Sequence, residues 1–597
     1  MTVDVRGIYM KWNLTYLFES DEAFKIAYNE AQQLIININE FEGKLGNLED
    51  FKKYYLIQKE FESKFSRVYQ YASLSSDLNK KDVEKATLVS MCMILLNKFV
   101  QDIAFEEPEL IQLGYDKVMS FVDKCPELEE FRFGFKKLFH QNEHILEKRV
   151  EQIISIYRPA LSTTGELYSA LAVADGIDSK VILDSGEEKT VTQGNWPTLI
   201  LESKSEAERQ RIFETLYKKY ETHKNTFAKI YETILKGNKA NAVARGYNSV
   251  LESYLFGNNI PTKVYETLVE TAGNNTKALK KYLNLRKEYL GLSKYHTYDR
   301  FMSLSSSNKK YSFEDAKELY FKSIEKFPND FKEYAYETLK DGFVDVYEQP
   351  GKRTGAYSSS VTDTHPFILL NYADRLEDVF TVAHESGHSI HSLYAMNNQP
   401  AALQNYTIFV AEIASTFNEH NLLDYLMNSG TLSKEEKIVL LQKAIDNIYG
   451  TYYRQTLFAE FELLANKKCE NNEPINHEVL SNIMIDLYKK YYDVDIEDEK
   501  VKKYVWAHIP HIYYTPFYVY QYATSFAASF KIYQDIKNNV PGAFDKYIGL
   551  LKSGGSKYPV DQAKEAGVDF TDPATFDAVT NRMNELVDML EELLKEK

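Results

Sequence analysis

Cysteine is scarce in this chain of 597 residues: there are three, Cys92, Cys125 and Cys469, and they are widely separated. That excludes a disulfide framework and a Cys-rich zinc site, and it fits a reducing, cytoplasmic setting. Basic charge is also short. Lys and Arg number 71 against 87 Asp and Glu, for a formal net charge of -16, which argues against a nucleic-acid partner because phosphate contacts need concentrated Lys and Arg. No run approaches the roughly 18 to 20 consecutive apolar residues of a membrane span, so no membrane partner is expected. The N-terminal stretch has no sustained apolar segment and carries Asp4, so no secretory leader is expected. Glycine and proline are sparse from about Asp21 to Gln152, which leaves long uninterrupted helices as the expectation for that region.

The composition, 44% hydrophobic and 26% charged, is that of a globular chain, and the length calls for more than one core. Segments such as Lys52 to Phe65 and Lys81 to Val100 are amphipathic at helical spacing. The apolar run Met91 to Leu96 reads as a buried helix, because nothing polar converges on it. The period changes between Gly176 and Ser203: Lys180 to Leu183 and Thr190 to Thr192 flank a turn at Asp184-Ser-Gly186 and predict a hairpin. Helical periodicity resumes at Lys204, which predicts a boundary near residue 200 between an N-terminal helical lobe, 1–200, and a second domain, 201–597. A second break, Phe343 to Glu348, Gly355 to Tyr357 and Phe367 to Tyr372, predicts short strands. A small sheet with a free edge can take an extended peptide as an added strand, and a purely structural hairpin fits the same residues.

These strands lead into Thr381-Val-Ala-His-Glu-Ser-Gly-His388, an H-E-x-x-H pattern. Positions four apart on a helix share a face, so His384 and His388 can present two imidazoles to one metal ion, with Glu385 beside it as general base toward a metal-activated water. The flanks read as helix. Asp374 is the expected N-cap with Glu377 at capping-box spacing, Val379, Val382, Ile390 and Leu393 form the apolar stripe, and Asn397-Asn398 before Pro400 form the stop. A hydrolytic zinc needs a third protein ligand. The metzincin continuation is excluded, because His391 stands at its Gly position and Tyr394 at its last His, which leaves His391 to packing or support. Downstream, Tyr406 to Leu426 predicts another amphipathic helix carrying Glu412, 24 residues after His388, and Glu419 two turns on. A carboxylate at that distance from a neighbouring helix is the Glu-zincin pattern. Glu412, set among Val410, Ala411 and Ile413, is the expected ligand, with Glu419 in support.

At these residues the chain resembles the M3 family of zinc metallopeptidases, of the oligoendopeptidase F type. The motif run from Asp374 to His391 and Phe409-Val-Ala-Glu-Ile-Ala-Ser-Thr-Phe-Asn-Glu419 carry the likeness. It extends through Ala244 to Tyr247, Gly351 to Tyr357, His511 to Tyr514, Phe517 to Tyr522 and Leu551 to Pro559. The resemblance implies a mainly α, multi-lobed helical zincin with a small β-sheet beside the active-site helix and a deep central cleft that admits short unfolded peptides. It implies one zinc ion held by His384, His388 and Glu412, with Glu385 as the base. Trp506 to Pro516, broken by Pro510 and Pro516, reads as a loop opening a helix at Phe517. In the family a His and two Tyr from this region bind the oxyanion. His511, Tyr513 and Tyr520 match best, His508 fits the spacing of more distant relatives, and Tyr518 and Tyr522 read as a packing pair. Gly355, Tyr357 and His508 are the expected substrate contacts. Ser386 departs from the family, where many members carry a bulkier residue. The function expected is a zinc-dependent oligoendopeptidase acting on oligopeptides. A zincin carboxypeptidase or dipeptidase, and a non-catalytic helical peptide-binding protein, are the alternatives.

Overall fold

Side-chain caps fix where the N-terminal helices begin. Ser20 accepts from Ala23 N ahead of Asp21–Leu34, Asn47 accepts from Glu49 N and Asp50 N ahead of Leu48–Leu78, and Asp82 accepts from Glu84 N and Lys85 N ahead of Val83–Asp102. This computed structural model describes residues 10–176, 178–497 and 499–596. The secretory-leader expectation falls on residues 1–9, outside them. The protein is mainly α, as the sequence predicts. Its strands are β1 (Lys180–Ile182), β2 (Glu188–Thr190), β3 (Val344–Tyr347), β4 (Tyr357–Ser359) and β5 (Phe367–Tyr372).

The chain forms two compact units, each assembled from separated segments. The first comprises Met1–Glu143, Asn308–Gly430 and Ile532–Val568; the second comprises His144–Ser307, Thr431–Lys531 and Asp569–Lys597. The boundary expected near residue 200 falls inside the second unit. The β1–β2 hairpin is tied across it to the helix Glu206–Thr222, where Glu208 accepts from Asp184 N at 2.5 Å and Asp184 pairs with Arg211.

In the first unit, Phe51, Tyr54, Phe61, Phe65 and Val68 repeat every three to seven residues on the long helix and are buried, joined by Leu88, Cys92, Leu95 and Phe99 from the next one. The Met91 to Leu96 run is therefore only half core: Cys92 and Leu95 are buried while Met93 and Ile94 are exposed. One stretch, Val83–Leu113, is long and apolar enough to cross a membrane by length and composition, contrary to the reading that none is. It folds as two helices, Val83–Asp102 and Glu106–Leu113. The sheet of this unit runs β3-β5-β4, with β3 parallel and β4 antiparallel to β5, so β4 is an edge strand. Trp12 Nε1 donates to Ile368 O at 2.8 Å and pins the N-terminal segment to the central strand.

The second unit is built from helices such as Lys224–Ala244, Lys434–Asn447, Arg454–Glu470 and His477–Tyr492. Ser433 and Glu436 form the capping box that starts Lys434–Asn447. The region read as a loop from Trp506 to Pro516 contains two single-turn helices, Val505–His508 and His511–Tyr514. The next helix starts at Tyr520, not Phe517, because Phe517 sits at φ 55 with its N–H donated to Glu462 at 2.8 Å.

Candidate metal centre

The H-E-x-x-H motif lies on the helix Leu376–Asn398, which ends where the two asparagines predict. Its start differs by one residue. Asp374 is not the cap: it adopts φ 59 and gives its carbonyl to Tyr311 N. The Asp378 carboxylate takes the N–H groups of Arg375 and Ala373, at 2.9 and 3.0 Å. The apolar stripe is buried as expected, with Val379, Val382 and Ile390 at 0% exposure. Each such side chain contributes about 1.5–3 kcal/mol of transfer free energy, which anchors the helix with its histidine face outward.

The neighbouring helix, Ile408–Asn428, is held against the motif helix by two features that the sequence reading passed over. Gly387 is one. A Cβ built on it would lie 2.6 Å from Ala414 O and 2.7 Å from Ser415 Cα, so only glycine permits this approach. Asn418 is the other, donating to Ala383 O at 3.0 Å and to Tyr320 OH at 2.8 Å. Ser386 joins that buried network through Thr338 Oγ1 at 2.9 Å and Tyr320 OH at 3.2 Å, which explains a small polar residue there.

The close approach brings Glu412 to the histidines. Its Oε2 lies 3.4 Å from His384 Nε2 and 3.5 Å from His388 Nε2, and one donor atom from each of the three residues falls within 4.8 Å of the others. Donor atoms around a tetrahedral zinc, at bonds of about 2.0–2.1 Å, stand roughly 3.3–3.4 Å apart. The separations therefore fit one such ion. Ser415 Oγ donates to Glu412 Oε2 at 2.8 Å, and Glu419 Oε1 meets His384 Nδ1 at 2.7 Å, which orients the ring and leaves Nε2 as the donor atom. Burial pushes the Glu412 carboxyl up, but His388, His384 and Ser415 outweigh it and hold it at about 2. Burial lowers His384, yet Glu419, Glu385 and Glu412 carry it up to about 9. His391 is no part of the cluster: it is buried, stacks on Tyr406 at 3.6 Å, and burial lowers it to about 3.

Glu385 is 5% exposed, and its Oε2 has no hydrogen-bond partner. Burial raises its carboxyl above the usual range, against the opposing pull of the two histidines. A desolvated carboxylate beside three convergent metal-type donors is suited to accepting a proton.

The expected substrate contacts in the first unit lie at the sheet. Gly355 adopts φ 86, and its carbonyl accepts from Asn371 at 2.7 Å. The Tyr357 hydroxyl is already committed to Asp77 at 2.6 Å, so it anchors the edge strand. Ser358 Oγ, one residue on, meets Ser389 Oγ of the motif helix at 2.8 Å.

The remaining predicted residues belong to the second unit. His508 is buried between Tyr217 and Tyr220, each 5.2 Å away, and neither ring nitrogen has a partner. Tyr513 is buried with its ring stacked on Tyr168 at 4.1 Å and its hydroxyl unpartnered, and Tyr520 is buried against Tyr265 at 5.0 Å. His511 is half-buried, with Tyr518 at 6.1 Å and Tyr522 at 6.3 Å. The pair read as packing is thus more accessible than Tyr513 and Tyr520. Sequence spacing could not reveal this, because the rings that bury Tyr513 and Tyr520 are Tyr168, Tyr231 and Tyr265, distant in sequence.

Two histidines and a distant glutamate converge around one point that could hold a metal ion, with a buried acid alongside. Comparison with known proteins agrees. Residues 199–581 match the Peptidase family M3 profile, and residues 109–175 match that of Oligopeptidase F. The chain is 34% identical over 585 residues to oligopeptidase PepF of Bacillus subtilis, covering 98% of this chain and 87% of that one. It is 35% identical over 593 residues to an oligoendopeptidase F homolog of Borreliella burgdorferi, covering 98% of each. Among solved structures it resembles a Chlamydophila abortus chain (TM-score 0.89, 29% identity, 98% of each covered) and the oligoendopeptidase-F of Enterococcus faecium (TM-score 0.71, 27% identity, 96% of this chain and 100% of that one). The chain belongs to peptidase family M3, and it is a metalloendopeptidase.

Proposed function

We propose that the protein is a zinc oligoendopeptidase that hydrolyses internal bonds of short, unfolded peptides. The observation that carries this is the convergence of His384, His388 and Glu412 at separations suited to one tetrahedral ion, with Glu385 buried and unpartnered beside them. When bound there, zinc would polarise the scissile carbonyl and lower the pKa of water from 15.7 to about 7.

Glu385 takes a proton from the attacking water and returns it to the leaving amine, and its raised basicity suits both transfers. Glu419 keeps the His384 ring in the orientation and tautomer that ligation needs. The edge strand β4 offers backbone groups to an extended peptide, which orients the substrate without demanding particular side chains. Gly355 and Tyr357 shape that strand's entry, and His508 is assigned to substrate contact by resemblance alone. The oxyanion role falls to His511, Tyr513 and Tyr520 on the same resemblance. Tyr513→Phe is expected to lower turnover about 100- to 1000-fold at unchanged zinc content; full turnover removes Tyr513 from the mechanism. A cytoplasmic location is part of the proposal, in keeping with three free, buried cysteines.

The deciding experiment is mass spectrometry of a peptide blocked at both ends after incubation with zinc-loaded protein. Internal cleavage is expected. Cleavage only of unblocked peptides, one or two residues from an end, would instead mark a carboxypeptidase or dipeptidase, and binding without cleavage would mark a peptide-binding protein.

A further inference from the structure

The edge strand β4 is three residues long, and each of its side chains is tied down. Tyr357 OH donates to Asp77 Oδ2 at 2.6 Å and Ser359 Oγ to Gln70 Oε1 at 3.1 Å, both on the helix Leu48–Leu78. Ser358, between them, faces the other way, as the alternation of a strand requires, and its Oγ shares a hydrogen bond with Ser389 Oγ at 2.8 Å. Ser389 is 0% exposed and directly follows His388 on the motif helix. Among the described residues, this is the strand's one hydrogen bond to that helix.

The other ties do not refer to the metal centre. Tyr357 and Ser359 hold the strand to the helix Leu48–Leu78, and Arg353 N, just ahead of it, donates to Asp77 O at 2.9 Å. The antiparallel pairs Tyr357–Leu369, Ser358–Ile368 and Ser359–Phe367 hold it to β5. Ser358 and Ser359 also form part of the wall of a cavity of about 660 Å³, bounded on the motif helix by Ser392, one turn beyond His388. A peptide added to this edge would lie about 4.8 Å from β4 and take its register from it. A slip of one residue moves such a peptide by about 3.3 Å and turns every side chain to the opposite face. Which bond reaches the metal centre therefore depends on where β4 stands relative to His388.

We propose that Ser358 and Ser389 are positioning residues, whose shared hydrogen bond sets the register of an extended peptide on β4 against the metal centre and so selects the bond that is cut. The proposal rests on the peptidase reading above. Neither hydroxyl takes part in the proton transfers assigned to Glu385, so weakening the link relaxes the choice of bond and leaves the chemistry of the cut in place.

Ser358→Thr and Ser358→Val make the test. Both replacements are β-branched and suit a strand, and they differ in a hydroxyl against a methyl. The substrate is a peptide blocked at both ends, and mass spectrometry reads the share of cuts at each bond, beside zinc content and thermal midpoint on the same samples. Zinc-loaded wild type is expected to favour one bond, and Ser358→Thr should keep that preference. Ser358→Val should cut that bond about threefold to tenfold less, the scale of one hydrogen bond, with new cuts one and two residues away at unchanged zinc content. Ser389→Ala should spread the cuts in the same way, and combining it with Ser358→Val should add little, because both remove the same link. A merely structural role would instead lower all cuts in proportion, in step with zinc content or thermal midpoint. Unchanged proportions in Ser358→Val and Ser389→Ala, equal spreading in the threonine and valine variants, or no favoured bond in wild type would overturn the positioning role and leave the peptidase reading standing. No internal cut by zinc-loaded wild type would sink that reading, and this inference with it.

Discussion

Glu385→Gln is expected to keep one zinc per chain and to lose about 100- to 10,000-fold in turnover, the range associated with removing a positioned general base. The substitution is nearly isosteric, and Glu385 contributes no donor atom to the His384, His388 and Glu412 cluster, so the metal face should survive it. What disappears is proton acceptance at a carboxylate that is buried and unpartnered. Single-turnover cleavage of a blocked peptide, read beside zinc content on the same sample, makes the check. Near wild-type turnover at full zinc occupancy would reassign the base.

Gly387→Ala is expected to be nearly as damaging by a different route, although it changes no group with chemistry of its own. The added methyl carbon would meet Ala414 O at 2.6 Å and Ser415 Cα at 2.7 Å, and both belong to backbone that moves only with its whole helix. Overpacking of this kind costs about 1–3 kcal/mol, while the better helix propensity of Ala returns at most about 1 kcal/mol. Relief requires the two helices to part, and parting them carries Glu412 away from the histidines. Zinc affinity should fall on the order of 10- to 100-fold, the scale seen when groups supporting metal ligands are disturbed. The loss should exceed what any fall in thermal stability explains. Competition against a chromophoric chelator measures it, and wild-type affinity in the variant would show that the helix spacing does not set the ligand geometry.

These two residues also mark what the sequence disclosed and what it withheld. Glu385 was legible because its role follows from spacing: a carboxylate between two imidazoles four apart needs only a helix to be placed. Glu412 was legible for a related reason, since it lies on a second amphipathic helix at the separation a neighbouring helix allows. The strands β3 and β5 showed through their apolar runs. Gly387 was not legible, because a glycine within a helix has no periodicity and its purpose appears only when the partner backbone is in place. Ser386 and Asn418 are similar, being small polar residues whose value lies in each other and in Tyr320. The unit boundaries were hidden because the chain leaves and re-enters each unit, so a change of period near residue 200 marks a local hairpin and not the edge of a core. The burial of Tyr513 and Tyr520 comes from rings distant in sequence, Tyr168, Tyr231 and Tyr265, and the helix start was displaced by a left-handed residue, Phe517, whose type gives no warning of that conformation.

The most direct measurement is anomalous X-ray scattering, collected on either side of the zinc absorption edge from crystals of the zinc-loaded protein. The account predicts one edge-dependent peak within about 2.0–2.2 Å of His384 Nε2, His388 Nε2 and a Glu412 carboxylate oxygen. A peak elsewhere, or Glu412 turned away while the two imidazoles hold the metal without it, would contradict the account.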